Sequence, residues 1–178
     1  MTLSLWLARH GSTEWTEQGR LCGWSDPPLN LGARAQAGLL RRRLAGLEFD
    51  GTWTSDLIRA AGFAELAGVT ARPDRRLREL DFGELEGKTW SDLDTGVQES
   101  LAAVDGFAAP GGESVADLES RVDAFIGELD RGNHLIFTHG GVIRLLGRRR
   151  GLTLAPAPGQ MTVLDWEGTM AAETRREP

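Results

Sequence analysis

The sequence predicts an α/β fold, a three-layer sandwich in which helices cover both faces of a central and mostly parallel sheet. Two short apolar runs, 3–8 and 134–138, are typical of strands that are buried on both sides. Each run stops at a His-Gly pair, and segments with helical periodicity follow the strand-like runs. The polar residues that come after the strands are therefore expected at the carboxyl edge of the sheet, where α/β proteins bind ligands.

The first strand precedes a loop rich in glycine, proline and aspartate, and then a helix. Asn30 is a good N-cap residue, and the helix is predicted to run from there to about Leu44. Its apolar stripe has helical spacing and consists of Leu31, Ala35, Leu39 and Leu40.

A second short strand is predicted over 49–54, with Ser55 as the cap of a helix over 56–67. Arg59 lies in the first turn of this helix, where a cation opposes the helix dipole. Stability alone does not explain that position. An arginine just past the carboxyl end of a strand is, however, well placed to reach an anion.

A charged connection leads into residues 79–87, which are predicted as a loop because four carboxylates lie near two glycines. Residues 88–113 show only short helical pieces. The largest helix is predicted over 114–130, and one of its faces is apolar: Val115, Leu118, Val122, Phe125, Ile126 and Leu129.

The end of the chain repeats the order of its beginning. A buried strand over 134–138 is followed by a glycine turn and by a helix that runs to about Arg149. A late strand is predicted over 161–166, with a hairpin partner at 169–174. The last residues, 170–178, are expected to fray.

Composition excludes several classes of protein. The chain has 178 residues and is expected to form one domain over 1–178. Its net charge of −6 argues against nucleic-acid binding. Neither a secretory leader nor an apolar run of membrane-spanning length is found, so we expect a cytoplasmic protein without a membrane partner. Cys22 is the single cysteine, which excludes an intramolecular disulfide and a thiolate metal cluster. The sequence leaves a homodimer open.

Five residues form the candidate site. Arg9 and His10, Arg59, and His139 each follow a predicted strand, and a loop supplies Glu79. Cationic side chains that converge in this way are costly to bury unless an anion balances them. Planar guanidinium groups suit tetrahedral oxyanions, phosphate above all. A carboxyl group nearby could donate a proton to a departing alkoxide.

At these positions the sequence resembles the histidine phosphatase superfamily, the phosphoglycerate mutase-like proteins. The resemblance implies the phosphoglycerate mutase-like form of the predicted sandwich. The motifs that carry it occur in the family's order. They are Leu7-Ala-Arg-His-Gly-Ser-Thr13, Gly19-Arg20 with Gly23, Asp26-Pro-Pro-Leu29 with Gly32, Ser55-Asp-Leu-Ile-Arg-Ala60, Glu79-Leu-Asp-Phe-Gly83 with Glu86-Gly87, Gly111-Gly-Glu-Ser114, and Thr138-His-Gly-Gly141.

The resemblance implies a role for each residue of the candidate site. His10 corresponds to a nucleophile that is transiently phosphorylated. Arg9, Arg59 and His139 correspond to the groups that hold the phosphoryl oxygens. Glu79 corresponds to the general acid that protonates the leaving group and then to the base that activates water, with Glu84 and Glu86 as alternatives. This chemistry requires no metal and no cofactor, since the arginines carry the positive charge.

Four further residues are candidates for binding phosphate or substrate. Thr16 stands where the family often has Asn, and a hydroxyl can still donate to phosphate. Cys22 and Gly23 belong to a segment that resembles the substrate loop of cofactor-dependent mutases. Gly140 precedes a predicted helix, so that backbone N–H groups are exposed to an anion.

The resemblance leaves the reaction open between hydrolysis and phosphoryl transfer. Cofactor-dependent mutases carry Lys and Arg in an insertion that shields phosphohistidine from water. The present chain has no Lys or Arg between Lys88 and Arg121. We therefore expect a metal-independent phosphatase that takes a small phosphorylated metabolite, with inorganic phosphate also bound at the site.

Several alternatives remain at this stage. The segment Thr138-His-Gly-Gly-Val-Ile-Arg144 is similar to alpha-ribazole phosphatases and to broad-specificity acid-type phosphatases. Other candidates are a cofactor-dependent phosphoglycerate mutase and a phosphatase acting on phosphohistidine or phosphoproteins. Outside the enzymes, a phosphate-ligand sensor is the alternative, which the presence of all five core residues disfavours.

Overall fold

A computed structural model describes residues 2–103 and 106–166 of the chain. The strands within these residues are β1 (Leu3–Arg9), β2 (Gly51–Thr54), β3 (Arg72–Pro73), β4 (Gly132–Thr138) and β5 (Met161–Asp165). The α-helices are α1 (Glu14–Glu17), α2 (Gly32–Leu44), α3 (Ile58–Leu66), α4 (Thr95–Ala103), α5 (Val115–Ile126) and α6 (Gly140–Arg149). Three 3-10 turns cover Arg75–Leu77, Gly83–Leu85 and Trp90–Asp92.

The strands form one sheet in the order β3-β2-β4-β1-β5. The pairs β3-β2, β2-β4 and β4-β1 are parallel, and β5 is antiparallel to β1. Arg9 at the end of β1 is in register with Thr138 at the end of β4, and Thr54 at the end of β2 pairs with Phe137. The residues that follow these three strands therefore emerge side by side at one edge.

Two hydrophobic clusters lie on the two faces of this sheet. Leu5 and Leu7 of β1 pack with the apolar residues of α5 and α6. Ala8, the next residue along β1, packs with those of α2 and α3. Successive strand residues point to opposite faces, so each strand supplies both clusters. The predicted α/β/α sandwich with a mostly parallel sheet is confirmed.

The apolar stripe predicted for α2 is wrong in most of its members. Leu31 is 86% exposed and Leu39 is 60% exposed, and Ala35 is exposed as well. The helix begins at Gly32, and the face it buries consists of Ala33, Ala37, Leu40 and Leu44. Two alanines lie on this face because α2 packs closely: a Cβ on Gly11 would lie only 2.7 Å from the Cβ of Ala33.

The start of α3 also differs from the prediction. The helix begins at Ile58, with Leu57 at the N-cap position, so Ser55 is not the capping residue. The Ser55 hydroxyl instead accepts a hydrogen bond from the Leu57 N–H at 3.3 Å. The first helical N–H groups are satisfied by a distant residue, Asp26, which accepts from the N–H of Ile58 at 2.5 Å.

The remaining elements follow the predictions closely. Ser114 caps α5, which ends at Ile126 rather than near residue 130, and its apolar face is buried. The predicted strands 49–54 and 161–166 are shortened to β2 and β5. The predicted hairpin partner at 169–174 and the tail 170–178 lie outside the described residues. No helix among the described residues has the length and apolarity that a membrane crossing requires.

Candidate active site

The carboxyl edge of the sheet brings the two predicted site histidines together. His10 follows β1 directly, His139 follows β4 directly, and their ring centroids lie 5.1 Å apart. His10 is 3% exposed and His139 is fully buried. The parallel register of β1 and β4 thus places the two imidazoles side by side, as the sequence predicts.

His10 is held in one tautomer by its neighbour. Its Nδ1 lies 2.8 Å from the carbonyl oxygen of Gly11. Because a carbonyl oxygen can only accept, Nδ1 carries the proton, and Nε2 keeps its lone pair. An imidazole with a free Nε2 lone pair can act as a nucleophile.

Both histidines stay neutral over a wide pH range. Burial, and then the positive charge of Arg59, lowers the pKa of His10 to about 3. The same two causes hold the pKa of His139 well below its usual value. At neutral pH His10 therefore carries a lone pair rather than a second proton.

Arg59 is anchored on one side and unpaired on the other. The side chain is fully buried; Nη1 donates to the carbonyl of Ser25 at 2.9 Å and to Asp26 Oδ1 at 3.0 Å. Nη2 donates to the carbonyl of Gly23 at 2.6 Å. Its Nε is buried and has no hydrogen-bond partner among the described residues.

Arg9 has a similar arrangement. Its Nη1 donates to the carbonyl of Pro156 at 2.7 Å, and its buried Nε has no partner within the described part of the chain. Burial lowers the pKa of Arg9, and the negative charge of Glu79 opposes this shift. The Arg9 guanidinium also lies close to Gly140, where a Cβ would be in ordinary van der Waals contact with Arg9 Cζ at 3.4 Å.

The segment before β5 fixes the backbone at Arg9 and His10. The N–H of Arg9 donates to the carbonyl of Gln160 at 2.9 Å, and the N–H of Gly159 donates to the carbonyl of His10 at 3.0 Å. Together with Pro156, these residues hold the end of β1 from a distant part of the chain.

The unpaired polar atoms are concentrated at this site. Across residues 2–103 and 106–166, six buried side-chain nitrogen or oxygen atoms lack a partner, and four of them belong to Arg9, Arg59 and His139. For His139 both ring nitrogens are unpaired. Buried donors of this kind cost free energy unless a ligand supplies acceptors. An anion with several oxygens would satisfy the Nε–H groups of Arg9 and Arg59 and the one ring N–H that a neutral His139 carries.

Glu79 is held at the site through its carboxyl group. Oε1 accepts from the N–H of Leu80 at 3.0 Å, and Oε2 accepts from the N–H of Gly141 at 2.8 Å. The side chain is buried, and a Cβ on Gly141 would collide with Oε1. Glycine is therefore required at 141 for Glu79 to reach the start of α6.

The alternative carboxylates have other surroundings. Glu84 is exposed. Both oxygens of Glu86 accept backbone hydrogen bonds, from the N–H of Trp24 at 2.7 Å and of Ser25 at 2.6 Å. Glu86 thus supports the loop that anchors Arg59, whereas the Glu79 carboxyl group is near enough to Arg9 to influence its pKa.

Hydrogen bonding and burial describe the surroundings of the four weaker candidates, first Thr16 and Gly140. The Thr16 hydroxyl donates to the carbonyl of Thr13 at 2.9 Å and accepts from its N–H at 2.9 Å, so its single hydrogen is already used within the cap of α1. Its contact with phosphate stays a prediction and would require that hydrogen bond to be exchanged. Gly140 is the first residue of α6 and is buried.

The loop residues have different surroundings. Cys22 is half-buried, its thiol lies 3.5 Å from the carbonyl of Ser25, and burial raises its pKa to about 11. Gly23 is buried and contacts Arg59 through its carbonyl group. A Cβ on Gly23 would lie 2.7 Å from the N–H nitrogen of Phe82, so glycine is needed for packing there.

Sequence reasoning missed the residues that hold the site residues in place. Asp26 ties the start of α3 to the Arg59 guanidinium, although it was noted only as part of a motif. Pro156 and Gln160 lie in a segment without any chemical signal in the sequence. Metal binding has no candidate here: within the described ranges, no group of three or more His, Cys, Asp or Glu side chains could hold an ion.

Comparison with known proteins places this site in a family. The model of the histidine phosphatase superfamily (branch 1) matches residues 5–173. The probable phosphoglycerate mutase GpmB of Salmonella choleraesuis is 36% identical over an alignment of 151 residues, with a coverage of 78% of this chain and 70% of that protein.

Two solved structures from Thermus thermophilus are similar over almost the whole chain. TTHB049 has 42% sequence identity and a TM-score of 0.87, covering 93% of this chain and 95% of its own. A phosphoglycerate mutase has 42% identity and a TM-score of 0.86, covering 93% of this chain and 94% of its own. The sequence motifs, the sheet and the family match therefore agree, and the chain belongs to the histidine phosphatase superfamily.

Proposed function

We propose that this protein is a metal-independent phosphatase that hydrolyses small phosphomonoesters through a phosphohistidine intermediate on His10. The observation that carries the proposal is a neutral imidazole with a free Nε2, set beside buried nitrogens of Arg9, Arg59 and His139 that have no partner among the described residues. Such a set of groups suits a phosphoryl group, which brings three oxygens and negative charge.

In the first step the Nε2 lone pair of His10 attacks the phosphorus atom. The bond from phosphorus to the ester oxygen breaks, and this oxygen takes a proton from the Glu79 carboxyl group as the alcohol leaves. Arg9, Arg59 and His139 bind the phosphoryl oxygens, over which the transition-state charge is spread.

In the second step water attacks the phosphohistidine. The Glu79 carboxylate takes a proton from the water, the bond between nitrogen and phosphorus breaks, and inorganic phosphate leaves with His10 restored. The low pKa of His10 supports this cycle, because the free imidazole is then available well below neutral pH.

The test is hydrolysis of p-nitrophenyl phosphate from mildly acidic to neutral pH, with EDTA present throughout. We expect turnover by the wild-type protein and a loss of at least about 1,000-fold in His10→Ala. A rapid-quench experiment is expected to trap a phosphoenzyme that is labile to acid and stable to base. Activity that EDTA abolishes, or that survives in His10→Ala, would contradict the proposal.

A cofactor-dependent phosphoglycerate mutase is the second candidate, because the relatives include proteins named probable phosphoglycerate mutase and phosphoglycerate mutase. The two reactions differ in whether water or a second hydroxyl accepts the phosphoryl group. With 3-phosphoglycerate and catalytic 2,3-bisphosphoglycerate, a phosphatase releases inorganic phosphate, whereas a mutase forms 2-phosphoglycerate with little release. Phosphate binding without either reaction would indicate the sensor.

A further inference from the structure

A buried arginine outside the candidate site holds the backbone of the loop that carries Glu79. Arg121 lies on α5, and only 15% of its side chain is exposed. Its Nη1 donates to the carbonyls of Arg76 and Arg78 at 2.8 and 2.6 Å, and its Nη2 donates to the carbonyl of Glu79 at 2.8 Å. Three backbone carbonyls that lead up to the proposed acid are thus bound by one side chain.

The other two N–H groups of Arg121 bind Glu113. Nε donates to Oε1 at 2.8 Å and Nη2 to Oε2 at 2.7 Å. A guanidinium has five N–H donors, so all five are used inside the protein. Glu113 Oε2 also accepts from the N–H of Asp81 at 3.0 Å, which extends the contact to the far side of Glu79.

Arg121 and Glu113 share this loop with other contacts: Trp24 Nε1 donates to the same Glu79 carbonyl at 3.0 Å, the Arg78 guanidinium pairs with Asp56, and Leu80 is buried. Residues 78–82 lie between two 3-10 turns and belong to no strand. The carboxyl group of Glu79 is oriented by the N–H of Leu80 in the same loop and by the N–H of Gly141 on α6. A displacement of the loop backbone would therefore move both the carboxyl group and one of its two donors away from α6.

We propose that Arg121 and Glu113 form a positioning pair, which holds the Glu79 carboxyl group where it can pass a proton to the leaving group. The inference rests on the proposed function. The pair contacts main-chain groups and not the reacting atoms, so it acts through the position of Glu79. Loss of the Arg121–Glu113 pair is therefore expected to slow the reaction most for substrates with a basic leaving group, which needs a proton from Glu79.

Two aryl esters test this dependence. Phenoxide is a much more basic leaving group than p-nitrophenolate. Its departure therefore depends more on protonation by Glu79. We expect Arg121→Met to lower kcat about 100-fold with phenyl phosphate and about tenfold or less with p-nitrophenyl phosphate, with a smaller change in KM. Arg121→Lys and Glu113→Gln, which keep part of the network, are expected to fall between Arg121→Met and the wild type.

Arg76→Met is the matched control. Arg76 also links a 3-10 turn to the α5 side of the molecule, through the carbonyl of Ala124 at 3.3 Å and Glu128 at 2.7 Å. Its side chain makes no contact with the Glu79 backbone in the described structure. We expect equal small effects on both esters, within about twofold.

A double variant shows whether Arg121 acts through Glu79. In a Glu79→Gln background the acid is already lost, so adding Arg121→Met is expected to cost little with phenyl phosphate. Full additivity, or equal losses with both esters in Arg121→Met, would overturn the proposal and leave a purely structural role. Should Arg121→Met fail to fold, Glu113→Gln and Arg121→Lys carry the same comparison.

Amide hydrogen exchange separates this inference from the proposed function. If the wild-type protein hydrolyses neither ester, the proposed function fails, but the positioning of Glu79 can still be measured. We expect faster exchange at the N–H groups of Leu80 and Gly141 in Arg121→Met than in Arg76→Met. Unchanged exchange at both amides would overturn the positioning role.

Discussion

Two buried histidines, one near the start of β4 and one just past its end, differ in whether their ring nitrogens form hydrogen bonds. His134, near the start of the strand, has both ring nitrogens in hydrogen bonds: Nε2 donates to the carbonyl of Asp130 at 2.9 Å, and Nδ1 accepts from Trp53 Nε1 at 3.3 Å. His139, just past the end of the strand, has neither nitrogen paired within the described residues. Both side chains are at most 4% exposed.

The difference separates a structural histidine from a candidate binding histidine. An unpaired buried polar group costs about 1–3 kcal/mol, and folding alone gives no reason to keep one. At the start of β4 the protein supplies every partner itself. At the carboxyl edge it leaves donors on His139, Arg9 and Arg59 that a bound oxyanion would satisfy.

Removing His139 is expected to reduce activity far more than stability. Under the proposed function His139 binds the phosphoryl oxygens, so we expect kcat of His139→Ala for p-nitrophenyl phosphate to fall about 1,000-fold. The free energy of unfolding is expected to change by less than about 1 kcal/mol, because the loss of packing is offset by the loss of unpaired polar atoms. Steady-state kinetics and urea denaturation measure both. A stable variant with near wild-type kcat would remove His139 from the site.

Inorganic phosphate is expected to stabilise the wild-type protein against unfolding. At a concentration 100 times its Kd, a ligand that binds only the native state adds about 2.7 kcal/mol. The measurement is Tm by thermal denaturation at increasing phosphate concentration. Ionic strength is kept constant with chloride, and chloride alone is the control. His139→Ala should lose most of the shift in Tm and His134→Ala should keep it. An equal shift in both variants would place the anion elsewhere.

Removing His134 is expected to produce the reverse of the His139 result. His134→Ala leaves the indole N–H of Trp53 without its acceptor, and we expect a loss of about 2 kcal/mol in the free energy of unfolding. The folded fraction should retain kcat within about twofold, since His134 is at the opposite end of the strand. Urea denaturation and kinetics at a temperature where the variant is folded measure these quantities. A large loss in kcat would show that the two ends are coupled.

The free energy of unfolding is expected to decrease in acid because of the buried histidines of the site. Folding lowers the pKa of His10 to about 3 from about 6.5, so between these values the unfolded chain binds more protons than the native protein. Stability therefore falls as pH drops from about 6.5 towards 3, by at most about 1.4 kcal/mol per pH unit for one such group. His139 contributes with the same sign.

Replacing His10 should flatten this dependence. His10→Asn removes one titrating group, so its unfolding free energy should fall less steeply than that of the wild type between pH 6.5 and 4.5. Urea denaturation at several pH values measures the two slopes. Parallel curves would mean that His10 is not buried as a neutral imidazole.

The fold and the meeting of His10 and His139 at one edge of the sheet were predictable from sequence because both depend on local signals. Apolar runs that end at Arg9-His10 and at Thr138-His139 identify parallel strands, and parallel strands bring their ends to one edge. The family motifs add Glu79 and Arg59. Their roles in catalysis stay predictions until they are measured.

The buried face of α2 was not predictable from its pattern. Leucines at 31 and 39 and alanines at 33 and 37 both have helical spacing, and the larger side chains suggest the wrong face. What decides is the close approach of α2 to Gly11, which only small residues permit. That distance is a tertiary property, which the helix sequence does not contain.

The residues that hold Arg59 and the Glu79 loop could not be predicted from sequence, for a related reason. Asp26 lies 33 residues from Arg59 in sequence, and the Arg121 contacts with the Glu79 loop span more than 40 residues. Long-range hydrogen bonds leave no periodic trace. A charged residue such as Arg121 next to the buried Val122 was the available signal, since a cation beside an apolar stripe usually has a partner.

The hydrogen bond from Arg9 to the carbonyl of Pro156 spans 147 residues. It has a consequence for the order of events during synthesis. Arg9 and His10 leave the ribosome well before the backbone groups that hold them, at 156–160, have been made. A nascent chain can form β1 to α6 and still lack this support for Arg9 and His10. The backbone at the end of β1 is therefore held in place only after residue 160 has been made.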